Sequence, residues 1–446
     1  MQKIIVSALL TASLSCLQAQ ETVLPAKEQK GSFYLTNATI HIGNGKVVQK
    51  GTIKVTNGKI EAVGDNISVP AGADNVTDLK GQDLYPGLIL PTSTLGLIEI
   101  SSVRATQDAR EIGELNPSVR SIVAYNSDSK VINTLRSNGI LLANVVPQGN
   151  FVAGTSSVVQ LDAWNWEDAA YKTDAGLHVY MPSLLPRPSF GGRGGGFGMG
   201  NFGGQGGDPV KEGLEKMEGL KAFFREAKAY QSLTDRKATN LKFEAVIGLF
   251  EKKQKLYMHA TTAKQILVAL DFVKEFGFEM VIVGGSESYQ VADLLKQHDV
   301  SVILQQPHSL PTAGDDDVDQ PYKTAAQLKK AGVLFSISDD DSQTRGRNLA
   351  FNAGTAAAYG LDKEEALAAI TLNAARIMGV ADKTGSIEIG KDANIVVSSG
   401  DLLDMRNSNV TAAYIQGRKI DLTDKHKLLS DRFEQKYELK APRKGF

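Results

Sequence analysis

Six histidines, one cysteine and several closely spaced aspartates are the residues of this chain suited to metal or acid–base chemistry. Imidazole and thiolate hold zinc, and alternating carboxylates hold calcium. Asp315, Asp317 and Asp319 have the alternate spacing of a calcium loop. Gln320 occupies the place of its turn glycine, however, and no glutamate follows at the twelfth position, so the segment reads as a solvated loop. His298 ends a helical pattern, where a donor favours the helix dipole. His41 falls in an early strand pattern and His426 in the C-terminal tail, both away from any reactive cluster, while His178 lies near a loop of the third strand and has no assigned role. Trp164 and Trp166 either line a pocket or interface or pack in the core. Nucleophile elbow, P-loop and dinucleotide fingerprint are all missing from the sequence.

The elements that must position any site begin after an export-like leader. Lys3 precedes a short apolar run, Ile4–Leu10, and Leu17-Gln18-Ala19 offers a small residue for cleavage, so residues 1–20 read as a signal peptide and the product as periplasmic. Ser13-Leu14-Ser15-Cys16 is a poor lipoprotein box, which sets lipid anchoring behind a soluble product. Cys16 is the lone cysteine, so no intrachain disulfide is possible. Without the leader the chain carries 48 basic and 50 acidic side chains, a balance that gives no reason to expect nucleic acid or an anionic membrane as partner. No later apolar run is long enough to span a bilayer. Roughly 425 remaining residues suit one large domain and one small one.

Residues 32–85 read as short strands, with Asn57-Gly58 as a hairpin turn because both residues tolerate positive φ. Similar strand chemistry returns over 385–422. Between them, short apolar strands (Leu256–Met258, Met280–Val283, Val302–Leu304, Val333–Ile337) alternate with amphipathic helices. One of these spans about Thr262 to Phe276 and ends at Gly277, and another opens at the capping box Asp362–Glu365. The pattern predicts a (β/α)₈ TIM barrel over 86–384, with any site at the C-terminal strand ends. Residues 187–209 interrupt it with a Gly-rich stretch (eleven glycines within 191–207) that predicts a mobile loop, and 423–446 form a tail.

Tyr85-Pro86-Gly87-Leu88-Ile89-Leu90-Pro91-Thr92-Ser93-Thr94-Leu95 resembles the signature Pro-Gly-Leu-Ile-Asp-x-His-x-His that closes the first barrel strand in the amidohydrolase superfamily. The resemblance extends to the chain ends, which look like the two halves of a small composite β-sandwich, 32–85 and 385–422, beside the barrel. It implies a hydrolase of carbon–nitrogen bonds in cyclic amides, peptides or acyl amines, nearest the imidazolonepropionase-related group, with one divalent metal such as zinc at the barrel mouth. Mapped onto this chain, the ligand positions are Thr92, Thr94, His259, Gly284 and Asp339, with Asp339 also the general base and Asp340 and Asp341 as register rivals. His308 is a further candidate ligand. Three family positions thus carry no strong zinc donor, since a hydroxyl is a poor ligand beside imidazole or carboxylate. Two functional expectations follow: a hydrolase with a weakened metal site, or an inactive barrel that binds a small molecule or pairs with an active homologue. A homo-oligomer is equally compatible with the sequence.

Overall fold

A computed structural model describes residues 23–439 apart from 74, 186–207, 234–237, 313 and 340–343. The expected leader and nearly all of the Gly-rich stretch therefore lie outside the described residues, as do Asp340 and Asp341.

Eight strands form the larger sheet: β1 (Leu88–Ser93), β2 (Ile140–Val145), β3 (Val152–Gln160), β4 (Ala170–Tyr180), β5 (Lys255–Ala260), β6 (Met280–Gly284), β7 (Ser301–Leu304) and β8 (Phe335–Ile337). They pair in chain order. Helices Pro209–Gln231, Ala263–Phe276, Ala292–Gln297 and Gln320–Ala331 cross over between the successive parallel strands β4 to β8. Local chemistry fixes their limits. Thr262 and Gln265 make the reciprocal cap of one helix, and Gly277, at φ 69°, ends it in the left-handed conformation that a residue with no Cβ adopts at little cost.

The barrel departs from eight parallel βα units in one place. β3 runs antiparallel to both β2 and β4. Only residues 146–151 link β2 to β3, a hairpin length into which no crossover helix fits. The irregular segment before β2 covers this side instead. It is pinned by bridges of Leu115 to Val152 and Arg120 to Thr155, and by an Arg120–Asp174 ion pair at 2.6 Å.

Among the described residues no backbone ladder joins β1 to β8. The seam there is closed by Thr92 Oγ1 and Ser338 Oγ at 2.7 Å. At the bottom of the lumen, Tyr257, Val281, Val283, Ile303 and Ile377 form a small core of their own, with the Tyr257 hydroxyl donating to the Ile377 carbonyl at 3.3 Å. Gly176 stands beside that ring because a Cβ there would come within 2.1 Å of it.

The chain-end segments form one mixed sheet rather than two packed ones. It unites the strands within 32–86 with Ile395–Ser398, Val410–Ile415 and Arg418–Lys419, joined where Asp83–Pro86 pairs with Ile395–Ser398. The expected sandwich is replaced by curling. The Asn57-Gly58 turn, with φ 48° and 81°, brings its strand back to the far end, where Ala393 N donates to Gly58 O and Ile60 N to Lys391 O. The enclosed core includes Leu35, Ile40, Ile53, Leu84 and Ile395. The tail contains a helix, Lys425–Lys436, capped by Asp424. No helix among the described residues is long and apolar enough to cross a membrane.

Asp162, at the end of β3, clamps barrel to sheet. Its carboxylate accepts from Arg136 at 2.6 Å, from Arg418 at 2.8 Å and from the Ala26 amide at 3.0 Å. Asp162 and Arg136 are almost fully buried, and burial pulls the Arg136 pKa down against the raising effect of Asp162. Removing the carboxylate leaves two guanidinium groups without their counter-charge, so Asp162→Asn is expected to cost about 3–5 kcal/mol. Urea unfolding of the variant and parent measures this, and a loss below about 1 kcal/mol would mean that the clamp contributes little.

Candidate functional site at the barrel mouth

Strand alternation turns Gly176, His178 and Tyr180 of β4 toward Tyr257 and His259 of β5. The result is a stack rising through the lumen. His178 lies on the Tyr257 ring, with centroids 4.6 Å apart, and His259 lies under Tyr180 at 3.9 Å. His178, left without a role by the sequence, is fully buried within β4. Its Nδ1 meets His259 Nε2 at 2.9 Å, and its Nε2 meets Ser156 Oγ of β3 at 2.8 Å. His259 is partly open to the mouth, and its Nδ1 has no partner among the described residues. Desolvation still lowers its pKa from 6.5 to about 3. Desolvation, and then the neighbouring His259, takes His178 well below 6.5. Both rings are therefore neutral at physiological pH.

Asp339 follows β8 by two residues and is buried. Its carboxylate accepts from Asn352 Nδ2 at 3.0 Å and has the Arg345 guanidinium 3.5 Å away. A positive charge thus stands beside it, supplied by a side chain. His308 is exposed, with Nε2 3.2 Å from the Thr355 hydroxyl and its ring tilted against Tyr322. His308, Asp339, Arg345, Asn352 and Thr355 share a cleft of about 620 Å³ beside helix Leu349–Ala358. The structure therefore brings Asp339 and His308 to one cleft, and gives His259 to His178 and the lumen.

The other mapped positions are elsewhere engaged. Thr92 is buried in the β1–β8 seam against Ser338. β1 ends at Ser93, so strand alternation does not carry on to Thr94, whose carbonyl accepts from Leu97 N in a turn. Gly284 has φ 103°, and a Cβ on it would stand 3.2 Å from the Ala260 carbonyl. Among the described residues no three His, Cys, Asp or Glu side chains are grouped so as to hold a metal ion.

The remaining readings are settled by contacts. Asp317 and Asp319 pair with Lys323 at 2.6 and 2.8 Å, as a solvated loop would. His41 bonds Glu364 at 2.6 Å at the junction of sheet and barrel, and His298 ends its helix. Trp164 is exposed, while Trp166 packs at the edge of the core. His178, Tyr180, Ser156, Arg345 and Asn352 were missed. The recurrence of His178-x-Tyr180 beside Tyr257-x-His259 was the available signal.

Residues 213–420 match the model of the amidohydrolase family. An imidazolonepropionase from Thermoplasma volcanium is 40% identical over 82 residues, which is 18% of this chain and 20% of that enzyme. The chain thus spans only a fifth of the curated relative it matches. An amidohydrolase from Thermotoga maritima superposes with a TM-score of 0.73 at 28% identity, over 87% of this chain and 99% of that one. Together these likenesses support the amidohydrolase superfamily. A prolidase complexed with N-methylphosphonate-L-proline shares the fold with a TM-score of 0.52 at 16% identity, over 87% of this chain and 99% of that one.

The depressed histidine values carry a pH dependence for this barrel. Unfolded imidazoles take up protons below about pH 6.5 while the folded pair does not, so acid favours unfolding. Stability is expected to fall between pH 7 and 5 by up to about 2 kcal/mol per histidine, and His259→Gln should remove its share. Urea unfolding of both proteins at the two pH values checks this. A flat parent profile, or an unchanged slope in the variant, contradicts it.

Proposed function

We propose that this amidohydrolase-superfamily barrel works at its mouth without a catalytic zinc, as a binder of a small amide- or peptide-like molecule. The observation that carries the reading is the 2.9 Å contact of His259 Nε2 with His178 Nδ1, which commits one nitrogen of the strongest mapped ligand to the protein. Three others support it. Arg345 stands beside Asp339 where a metal's charge would otherwise be needed, Thr92 is held in the seam, and the backbone at Gly284 disfavours a side chain. A catalytic zinc takes three protein ligands and an open position, and the described donors do not fit that set. Without a metal, the pKa of water stays far above neutrality rather than near 7, so hydroxide attack at neutral pH loses its main drive.

A second reading is favoured by the likeness to the Thermotoga maritima amidohydrolase along nearly its whole length. On that reading the chain hydrolyses carbon–nitrogen bonds, with Asp339, beside Arg345, taking the proton of the attacking water. Elemental analysis and calorimetric zinc titration of protein purified without chelators separate the two. We expect well under one zinc per chain and no saturable binding at micromolar zinc. One tightly held zinc, with amide or peptide hydrolysis lost on chelation, would establish the second reading instead.

We infer export to the periplasm from the basic start, short apolar run and small cleavage residue of positions 1–20. N-terminal sequencing of the secreted protein should begin near residue 20. A product that still begins at Met1 would refute export with cleavage.

A further inference from the structure

We propose that Ser156, buried behind the mouth, fixes His259 as a hydrogen-bond donor toward the ligand, so that the molecule bound there presents an acceptor oxygen, a carbonyl or a carboxylate. The inference rests on the zinc-free reading of the same mouth.

The argument is one of counting protons. A neutral imidazole has one donor and one acceptor nitrogen. In the chain Ser156 Oγ, His178 Nε2, His178 Nδ1 and His259 Nε2, the choice made at one end therefore sets the other. Ser156 is fully buried, and its hydroxyl has no other partner among the described residues. If the hydroxyl donates, His178 Nε2 accepts, His178 Nδ1–H donates to His259 Nε2, and the proton of His259 lies on Nδ1, the nitrogen that the protein leaves to the mouth. The opposite arrangement holds the same number of protons, but it leaves the buried Ser156 O–H with nothing to receive it. An unmade bond of that kind disfavours a state by roughly tenfold or more. The 2.9 Å contact between two ring nitrogens needs one of them to accept, which keeps the choice between these two arrangements. Tyr257 under His178 and Tyr180 over His259 hold the rings in the planes that the chain requires. The tyrosines and Ser156 are thus positioning residues, and His259 Nδ1–H is the contact offered to the ligand.

The test uses the full chain labelled with ¹⁵N at histidine, at pH 7.5, with long-range proton–nitrogen correlation spectra to locate the imidazole protons. His259→Gln and His178→Gln assign the two rings. The expected result is a proton on Nδ1 of both, favoured at least about tenfold. Ser156→Thr should keep that preference, and Ser156→Ala should bring the two tautomers of His259 to comparable populations. A parent protein with the His259 proton on Nε2 overturns the proposal, and this holds even if Ser156→Ala fails to fold. A Ser156→Ala spectrum with an unchanged ratio also overturns it. Zinc is measured on the same sample. Stoichiometric zinc on His259 would refute the zinc-free reading together with this one, whereas an inverted tautomer in zinc-free protein refutes this inference alone.

Discussion

Below its mouth the lumen of the barrel is cut off from water, so a polar group there is favoured when it finds a partner in the protein. An unpaired buried donor or acceptor costs about 1–3 kcal/mol, a large share of the stability of an ordinary domain. This constraint explains why His178 and His259 face each other, why Ser156 stands behind them, and why Thr92 and Ser338 meet at the seam that no backbone ladder closes. It also limits the chemistry. A nitrogen used to satisfy a neighbour is not offered to a metal, and a carboxylate with a guanidinium beside it has less need of a divalent cation.

The same demand organises the junction between sheet and barrel. Asp162 gathers two arginines and a backbone amide from positions distant in sequence. Asp392 plays a related part between Lys59 and the Tyr171 hydroxyl. On the underside of the barrel, Lys172 donates to the carbonyls of Met378 and Gly379 at the end of helix Leu372–Met378, where a cation also favours the helix dipole. The chain ends are thus held to the barrel by a few desolvated polar groups as well as by apolar contact.

Much of the architecture was legible because it is written in short-range chemistry. The Thr262 cap, the Gly277 stop, the Asn57-Gly58 turn and the Asp362–Glu365 capping box each depend on neighbours within a few residues. The direction of β3 was not legible from its apolar pattern, since a strand buried on both faces reads the same either way. The short link 146–151 was the evidence for it, and it is a matter of length rather than composition. The site was harder still. His178 looks like a core histidine until β5 is laid beside it, 81 residues later. The pairing of Asp339 with Arg345 crosses five residues whose sequence carries no regular pattern. Thr92 and Thr94 were read as equivalent from their spacing, but the strand stops between them.

The antiparallel β3 has a kinetic consequence. β2, β3 and β4 are successive neighbours within residues 140–180, so this meander closes through short loops, whereas the β1–β8 seam joins positions 246 residues apart. Loop-closure entropy falls most heavily on the second, and local pairings form with less of it lost. The meander is therefore expected to gain protection first in pulse-labelled hydrogen exchange during refolding. The mouth, whose histidine chain spans β3, β4 and β5, would take shape around an edge that already exists, with the Thr92–Ser338 contact coming last to shut the barrel.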